Sequence, residues 1–319
     1  MKQLTKDFLI SAWIGLVLPG VLLNFAAAVW NDARAESVRE PEEATVSSVP
    51  VSLPVLFRRS EGNSVREDMD RYLVGVVLAE MPALFEGEAL KAQAVVARTY
   101  AWKAGITGGK HGDGSVCGEP SCCQGYLSEE TYLQQGGSPQ DVEKIRSAVQ
   151  ATSGEILTFE GQPIEATYFS CSGGRTEDAA AVWGRDFPYL QAVDSPGEEQ
   201  ADHYRDEMEF SISELEKRLG VSLGEVPVEQ ISYTEGGGVR SAVIGEREFS
   251  GTHLRSLLGL KSTAFAVERQ GETVVFQTKG YGHRVGMSQY GADAMAVAGS
   301  TYEDILTHYY SGTELTRLS

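Results

Sequence analysis

Hydrophobic and polar positions change their pattern several times along the chain. From Phe8 to Trp30 no residue is charged and Asn24 is the only strongly polar one. About 20 apolar residues span a bilayer as a helix, so this run predicts a single transmembrane segment. Glu36 to Pro54 is rich in Glu, Ser, Val and Pro without helical periodicity and predicts an extended stalk. Met69–Ala79 (MDRYLVGVVLA) is apolar enough for a buried helix, stopped within a turn by Pro82. Glu88–Lys103 predicts a second helix, with alanines at 89, 92, 94, 97 and 101 that let a neighbouring backbone approach closely. Gln93 and Tyr100, seven apart, share one face of it.

Further on, Gly105–Gln124 reads as a glycine-rich loop and Asp141–Thr152 as a helix closed by Gly154. Glu155–Phe159 and Ile164–Phe169 read as a hairpin around Glu160 and Gly161. Residues 200–260 predict a smaller lobe: an acidic loop, a helix over Ser211–Leu219, strands near Ile231 and Val243, and a helix around Leu254. A strand over Thr273–Thr278 then leads into the glycine-rich Gly280–Gly291, and helical segments follow from Ala292 to Tyr310. Strands and helices without βαβ alternation give an α+β fold, a mixed core with an inserted smaller lobe. The expected organisation is an anchor over 1–35, a stalk over 36–54 and an ectodomain over 55–319.

Charge sets the orientation and excludes whole classes of function. Lys2 and Lys6 precede the apolar run, while Asp32, Glu36, Glu40, Glu42 and Glu43 follow it. The positive-inside rule puts the N-terminus in the cytoplasm and the rest outside the cell membrane. A cleaved signal peptide is the rival reading, because Ala33-Arg34-Ala35 fits a small-x-small site, but the run exceeds an ordinary signal core. The 319 residues carry 27 Lys plus Arg against 45 Asp plus Glu, a net charge of −18. That balance argues against nucleic acid as a partner and against docking on anionic lipid.

Four strings carry candidate chemistry. Glu80 sits where a helix ends, with Leu78, Met81 and Phe85 close by. A carboxyl held among apolar groups keeps its proton to higher pH, as a general acid requires, whereas a solvated Glu ending an amphipathic helix has no such role. Tyr168-Phe-Ser-Cys-Ser-Gly-Gly-Arg-Thr-Glu177 offers the hydroxyls of Ser170 and Ser172 beside Gly173 and Gly174. Gly280-Tyr-Gly-His-Arg-Val-Gly-Met-Ser-Gln-Tyr-Gly291 projects His283, Ser288, Gln289 and Tyr290, and its spacing is not that of a dinucleotide fingerprint. Each string is also compatible with a plain glycine turn. In His111-x5-Cys117-x5-Cys123, one loop supplies an imidazole and two thiolates, a soft set suited to zinc. Oxidation outside the cell would instead pair Cys117 with Cys122 or Cys123 and leave Cys171 over.

Together these strings resemble the SpoIID family, the stage II sporulation protein D of endospore-forming bacteria, from about Val55 to Leu315. The resemblance implies a lytic transglycosylase that cleaves peptidoglycan glycan strands lacking stem peptides, with Glu80 as the single acid/base. It expects Gln93, Arg98, Tyr100, Ser170, Ser172, Gly173, Gly174, His283, Ser288, Gln289 and Tyr290 to bind the substrate. Some members of the family bind zinc through one His and two Cys. By that resemblance His111, Cys117 and Cys123 would hold one ion that shapes the cleft, with Cys122 as the alternative to Cys123. The resemblance also implies an amidase/endopeptidase (SpoIIP) and a membrane protein (SpoIIM) as partners. Related proteins are amidase enhancers that bind the wall without cutting glycan, which is the alternative function.

Overall fold

Helix α1, Met69–Glu80, begins at Asp68, whose side chain accepts the Arg71 N–H at 3.0 Å. It stops at Glu80 because Met81 precedes a proline and is forced extended (φ −127°, ψ 140°). The expected anchor and most of the stalk fall on residues 1–52. These lie outside the segments described by the computed structural model, which are 53–58, 63–225, 228 and 230–318. Among the described residues no helix is long and apolar enough to cross a membrane.

Helix α2, Gly87–Thr107, is the centre of the larger core. Ala89, Ala92, Ala94 and Ala97 are fully buried, and they let α1 and three later helices pack closely around it. Those neighbours are Pro139–Ala151, Gln289–Val297 and Tyr302–Tyr309. The first of them starts two residues earlier than the hydrophobic pattern predicts, because Ser138 and Asp141 form a reciprocal capping box and Pro139 occupies the first turn. A short helix over Glu129–Gln134, capped by Ser128, has no counterpart in the expected elements.

Several small sheets frame these helices. Pro54–Arg58 pairs antiparallel with Ser64–Asp68 and parallel with Val116–Cys117, so the cysteine loop is tied to the sheet at one end. Glu155–Phe159 is flanked by Gln162–Pro163 and by Glu314–Arg317. The expected hairpin is therefore short. Its return arm leaves after Ile164, and Tyr168–Phe169 pairs in parallel with Met287–Ser288 instead. That pairing joins two strings more than a hundred residues apart in sequence.

A second, smaller core is built from Phe210, Leu215, Leu254, Phe265, Val274 and Phe276, among others. One sheet of this lobe orders Phe265–Gln270, Thr273–Lys279 and Arg205–Ser211, and the other orders Arg247–Ser250, Val239–Ile244 and Gln230–Tyr233. The lobe thus continues to Lys279, past the 200–260 span read from hydrophobicity. The Thr273–Lys279 strand pairs back onto Arg205–Ser211, and no local pattern announces such a long-range partner.

Candidate active site and metal centre

Glu80 opens onto a cavity of about 730 Å³, whose lining is drawn from every string singled out in the sequence. The end of α1 contributes Glu80, α2 contributes Tyr100, and the cysteine loop contributes Cys123 and Gln124. Ser170, His283 and Gln289 come from the two distant strings, brought together by the Tyr168–Phe169 and Met287–Ser288 pairing.

The surroundings of the Glu80 carboxyl favour a bound proton. Burial pushes its pKa up, while the Gly125 backbone N–H, which donates to it, acts in the other direction. The C-terminal position on α1 adds the negative end of the helix dipole. Tyr168 and Gln289 also face the carboxyl. Gln124 is oriented by donating from Nε2 to the Ala97 carbonyl (3.4 Å) and the Tyr72 hydroxyl (3.2 Å), so its Oε1 accepts the Tyr168 proton at 3.2 Å. Tyr168 and Gln289 act on the Glu80 pKa in the same direction as Gly125, downward, so its raised value comes from burial. The second carboxyl on the lining, Glu165, lies 2.9 Å from the ammonium of Lys103.

Other expected binding residues take different places. Gln93 is fully buried beneath Gln289, whose amide reaches the Gln93 Oε1 at 3.5 Å, and the Gln93 Nε2 has no hydrogen-bond partner among the described residues. His283 lines the cavity, but its Nδ1 accepts the Val285 N–H at 3.1 Å and the ring also engages the Tyr168 carbonyl. Burial and the nearby Arg255 push its pKa down to about 4, so it stays neutral and holds the glycine-rich string against Tyr168. Ser288 caps the Gln289–Val297 helix, and Tyr290 packs edge-on against Phe85 at 5.0 Å.

Arg98, Ser172, Gly173 and Gly174 do not line the cavity. Arg98 is wholly buried, paired with Asp70 at 3.0 Å and donating to the Val149 and Glu155 carbonyls, both at 3.2 Å. Ser172 is also wholly buried; its N–H and hydroxyl both donate to Glu198 Oε2 at 2.8 Å. Gly173 (φ 78°) and Gly280 (φ 79°) lie back to back. A Cβ on Gly173 would stand 2.9 Å from the Gly280 nitrogen, and one on Gly280 would stand 2.6 Å from the Ser172 carbonyl. The space that these glycines leave open is filled by the protein's own backbone. Sequence reasoning missed Tyr168 and Gly125 as neighbours of Glu80. Tyr168 opens the Tyr168–Glu177 string, and the position of Gly125 depends on the cysteine loop folding back over α1.

The cysteine loop holds four soft ligands, one more than the expected set. The ligand atoms of His111, Cys117, Cys122 and Cys123 all lie within 4.8 Å of one another. Cys123 Sγ is 3.6 Å and Cys122 Sγ 3.8 Å from His111 Nε2, and the two sulfurs are 3.8 Å apart. Bond lengths of about 2.3 Å to sulfur and 2.0 Å to nitrogen give tetrahedral edges of about 3.8 and 3.5 Å, so the spacing suits a metal such as zinc. All four cysteines of the chain are free thiols, and Cys171 stands apart, buried with its Sγ 3.2 Å from Glu198. The Tyr100 hydroxyl is directed at Cys123, which links this cluster to the cavity wall.

Residues 60–159, which include Glu80, α2 and the whole cysteine loop, match the SpoIID family, described as Stage II sporulation protein. Stage II sporulation protein D of Bacillus amyloliquefaciens is 40% identical over 88% of this chain and 84% of its own length. Its namesake from Bacillus subtilis (strain 168) is 36% identical over 99% of this chain and 96% of its own length. The amidase enhancer of the same Bacillus subtilis strain is 30% identical over 76% of this chain but only 40% of its own length. With identity of this level carried along most of its length, the chain belongs to the SpoIID family.

Proposed function

We propose that this protein is a peptidoglycan lytic transglycosylase acting in wall remodelling during sporulation, with Glu80 as its single acid/base. The observation that carries the reading is the Glu80 carboxyl itself, half-buried and with a raised pKa, at a cavity whose other carboxyl is held by Lys103. Hydrolysing glycosidases need a second carboxylate to activate water or attack the sugar. A lytic transglycosylase does not, because the C6 hydroxyl of the muramic acid is the nucleophile. Glu80 protonates the departing glycosidic oxygen as the C1–O4 bond breaks, and O6 forms the new bond to C1. The same carboxylate then takes the O6 proton, so the site returns to its starting state and no water is consumed. Gln289 and Tyr168 hold the carboxyl in place through both proton transfers.

His111, Cys117, Cys122 and Cys123 would hold zinc as a crosslink in the loop that supplies Cys123, Gln124 and Gly125 to the site. A metal there supplies rigidity to that wall of the cleft, and the chain's own residues move the proton. The family also suggests an amidase as a working partner and an anchored, extracytoplasmic location. The likeness to the amidase enhancer favours a second reading, in which the cleft binds glycan without cutting it. Incubation with stem-free glycan strands, followed by mass analysis of the product ends, separates the two. The proposed activity yields 1,6-anhydro ends, whereas a non-catalytic binder leaves the strands intact.

A further inference from the structure

The cavity beside Glu80 is electrostatically out of character with the chain that builds it. The protein carries a net charge of −18. Yet among the cavity's charged side chains Glu165 is paired with Lys103, and Lys110 and Arg185 bring two positive charges to the lining beside Glu80. Lys110 donates to the Cys122 carbonyl within the cysteine loop. Arg185 is exposed, and among the described residues no carboxylate lies within ion-pair distance of it. Its guanidinium rests 5.1 Å above the Phe187 ring, which restrains the side chain while leaving its donors free.

Two residues earlier, Trp183 also faces the cavity. It is 41% exposed, so part of its ring is open to the cavity. Its ring lies 5.3 Å from that of His283, whose Nδ1 is held by the backbone N–H of Val285, so the indole is supported from behind. Trp183 closes the Ala179–Trp183 helix, and Gly184 turns the chain in a left-handed conformation (φ 70°) before Arg185. An aromatic ring and a guanidinium two residues apart in the chain therefore both line the cavity.

Resting on the activity proposed above, we propose that Arg185 reads the free lactyl carboxylate of a muramic acid residue stacked on Trp183, and that this pair selects glycan stripped of its stem peptides. A stem peptide is joined to that same carboxyl through an amide. The stripped strand presents an anion that a guanidinium binds in a forked, two-bond geometry, and the peptide-bearing strand presents a neutral amide that cannot be bound in that way. Selectivity then follows from one charge, and no steric gate is needed.

The test compares two strands of the same length, one with free lactyl carboxylates and one in which they are converted to methylamides. The wild-type full chain should cleave the free form about 10- to 100-fold faster, the range expected for a hydrogen-bonded charge pair. In Arg185→Gln that ratio should fall close to one, and Arg185→Lys should restore part of it. An Arg185→Gln protein that keeps the wild-type ratio overturns the proposal, as does loss of the ratio in Lys110→Gln instead. Calorimetric binding of both strands to Glu80→Gln protein separates this idea from the proposed activity. A carboxylate preference that vanishes with Arg185, in a wild-type protein that releases no 1,6-anhydro ends, would sink the transglycosylase and leave the recognition standing. Equal binding of both strands, or binding of neither, would sink the recognition whatever the activity.

Discussion

The backbone N–H of Gly125 donates to the Glu80 carboxylate and so joins the loop that carries the cysteines to the end of helix α1. A Cβ on Gly125 would stand 2.9 Å from Glu80 Oε1 and 3.3 Å from the Ala79 side chain. The carboxyl is the movable partner in that contact. Gly125→Ala is therefore expected to displace Glu80 and lower kcat by about 10-fold or more, the usual consequence of misplacing a catalytic group. Its melting temperature should stay close to wild type, and equal kcat values would show that the contact does not position Glu80.

Glu80→Gln should abolish 1,6-anhydro products, and its effect on stability should depend on pH. The folded-state pKa of Glu80 is raised, so the native state holds the proton more tightly than the unfolded chain. The associated stability is present below the unfolded pKa, about 4.3 for Glu, and is lost as pH rises through the folded value. Gln removes the buried charge, so the variant should melt higher than wild type at pH 8, and the difference should shrink at pH 4. A difference that grows on acidification would contradict the burial argument.

Freshly purified protein should contain about one zinc per chain, and chelation should lower its melting temperature, since metal binding at such a site is coupled to folding. Because four ligand atoms converge, Cys122→Ser and Cys123→Ser should each weaken zinc binding. Zinc retained at full affinity in Cys122→Ser would reduce the set to His111, Cys117 and Cys123.

Arg98→Met should act on stability. The buried guanidinium answers Asp70 and two carbonyls, so its loss should cost about 3 kcal/mol, near the lower end for a broken buried pair because Asp70 keeps some solvent. Denaturant unfolding measures this. A variant of wild-type stability with weakened glycan binding would return Arg98 to the cleft.

Ser172→Ala should likewise lose about 1–3 kcal/mol, because Glu198 then lacks one of its buried donors. The accompanying measurement is the glycan affinity of the folded protein, which should change little. A selective loss of affinity at unchanged stability would show that Ser172 reaches the substrate.

Helices α1 and α2 were legible in the chain because local rules govern them: an apolar run, a proline stop, and a series of small residues facing inward. Glu80 was singled out by the family resemblance, since a place at a helix end among apolar neighbours is one that a solvated Glu would share. Three of the four candidate metal ligands, His111, Cys117 and Cys123, were legible because they lie within a thirteen-residue stretch of one loop, whereas the convergence of Cys122 with them was not. What local pattern could not decide was how distant segments meet. The parallel pairing of Tyr168–Phe169 with Met287–Ser288 brings Tyr168 and Gln289 to Glu80, and it also turns Ser172 and Gly173 inward toward Glu198. Hydroxyls and glycines in a polar string read alike whether they face a ligand or the protein's own backbone. Burial alone separates the two cases, and burial is set by contacts across more than a hundred residues. Arg98 shows the same limit on a single helix, because its length lets it reach Asp70 and two carbonyls that only the packing of Pro139–Ala151 and Glu155–Phe159 brings within range.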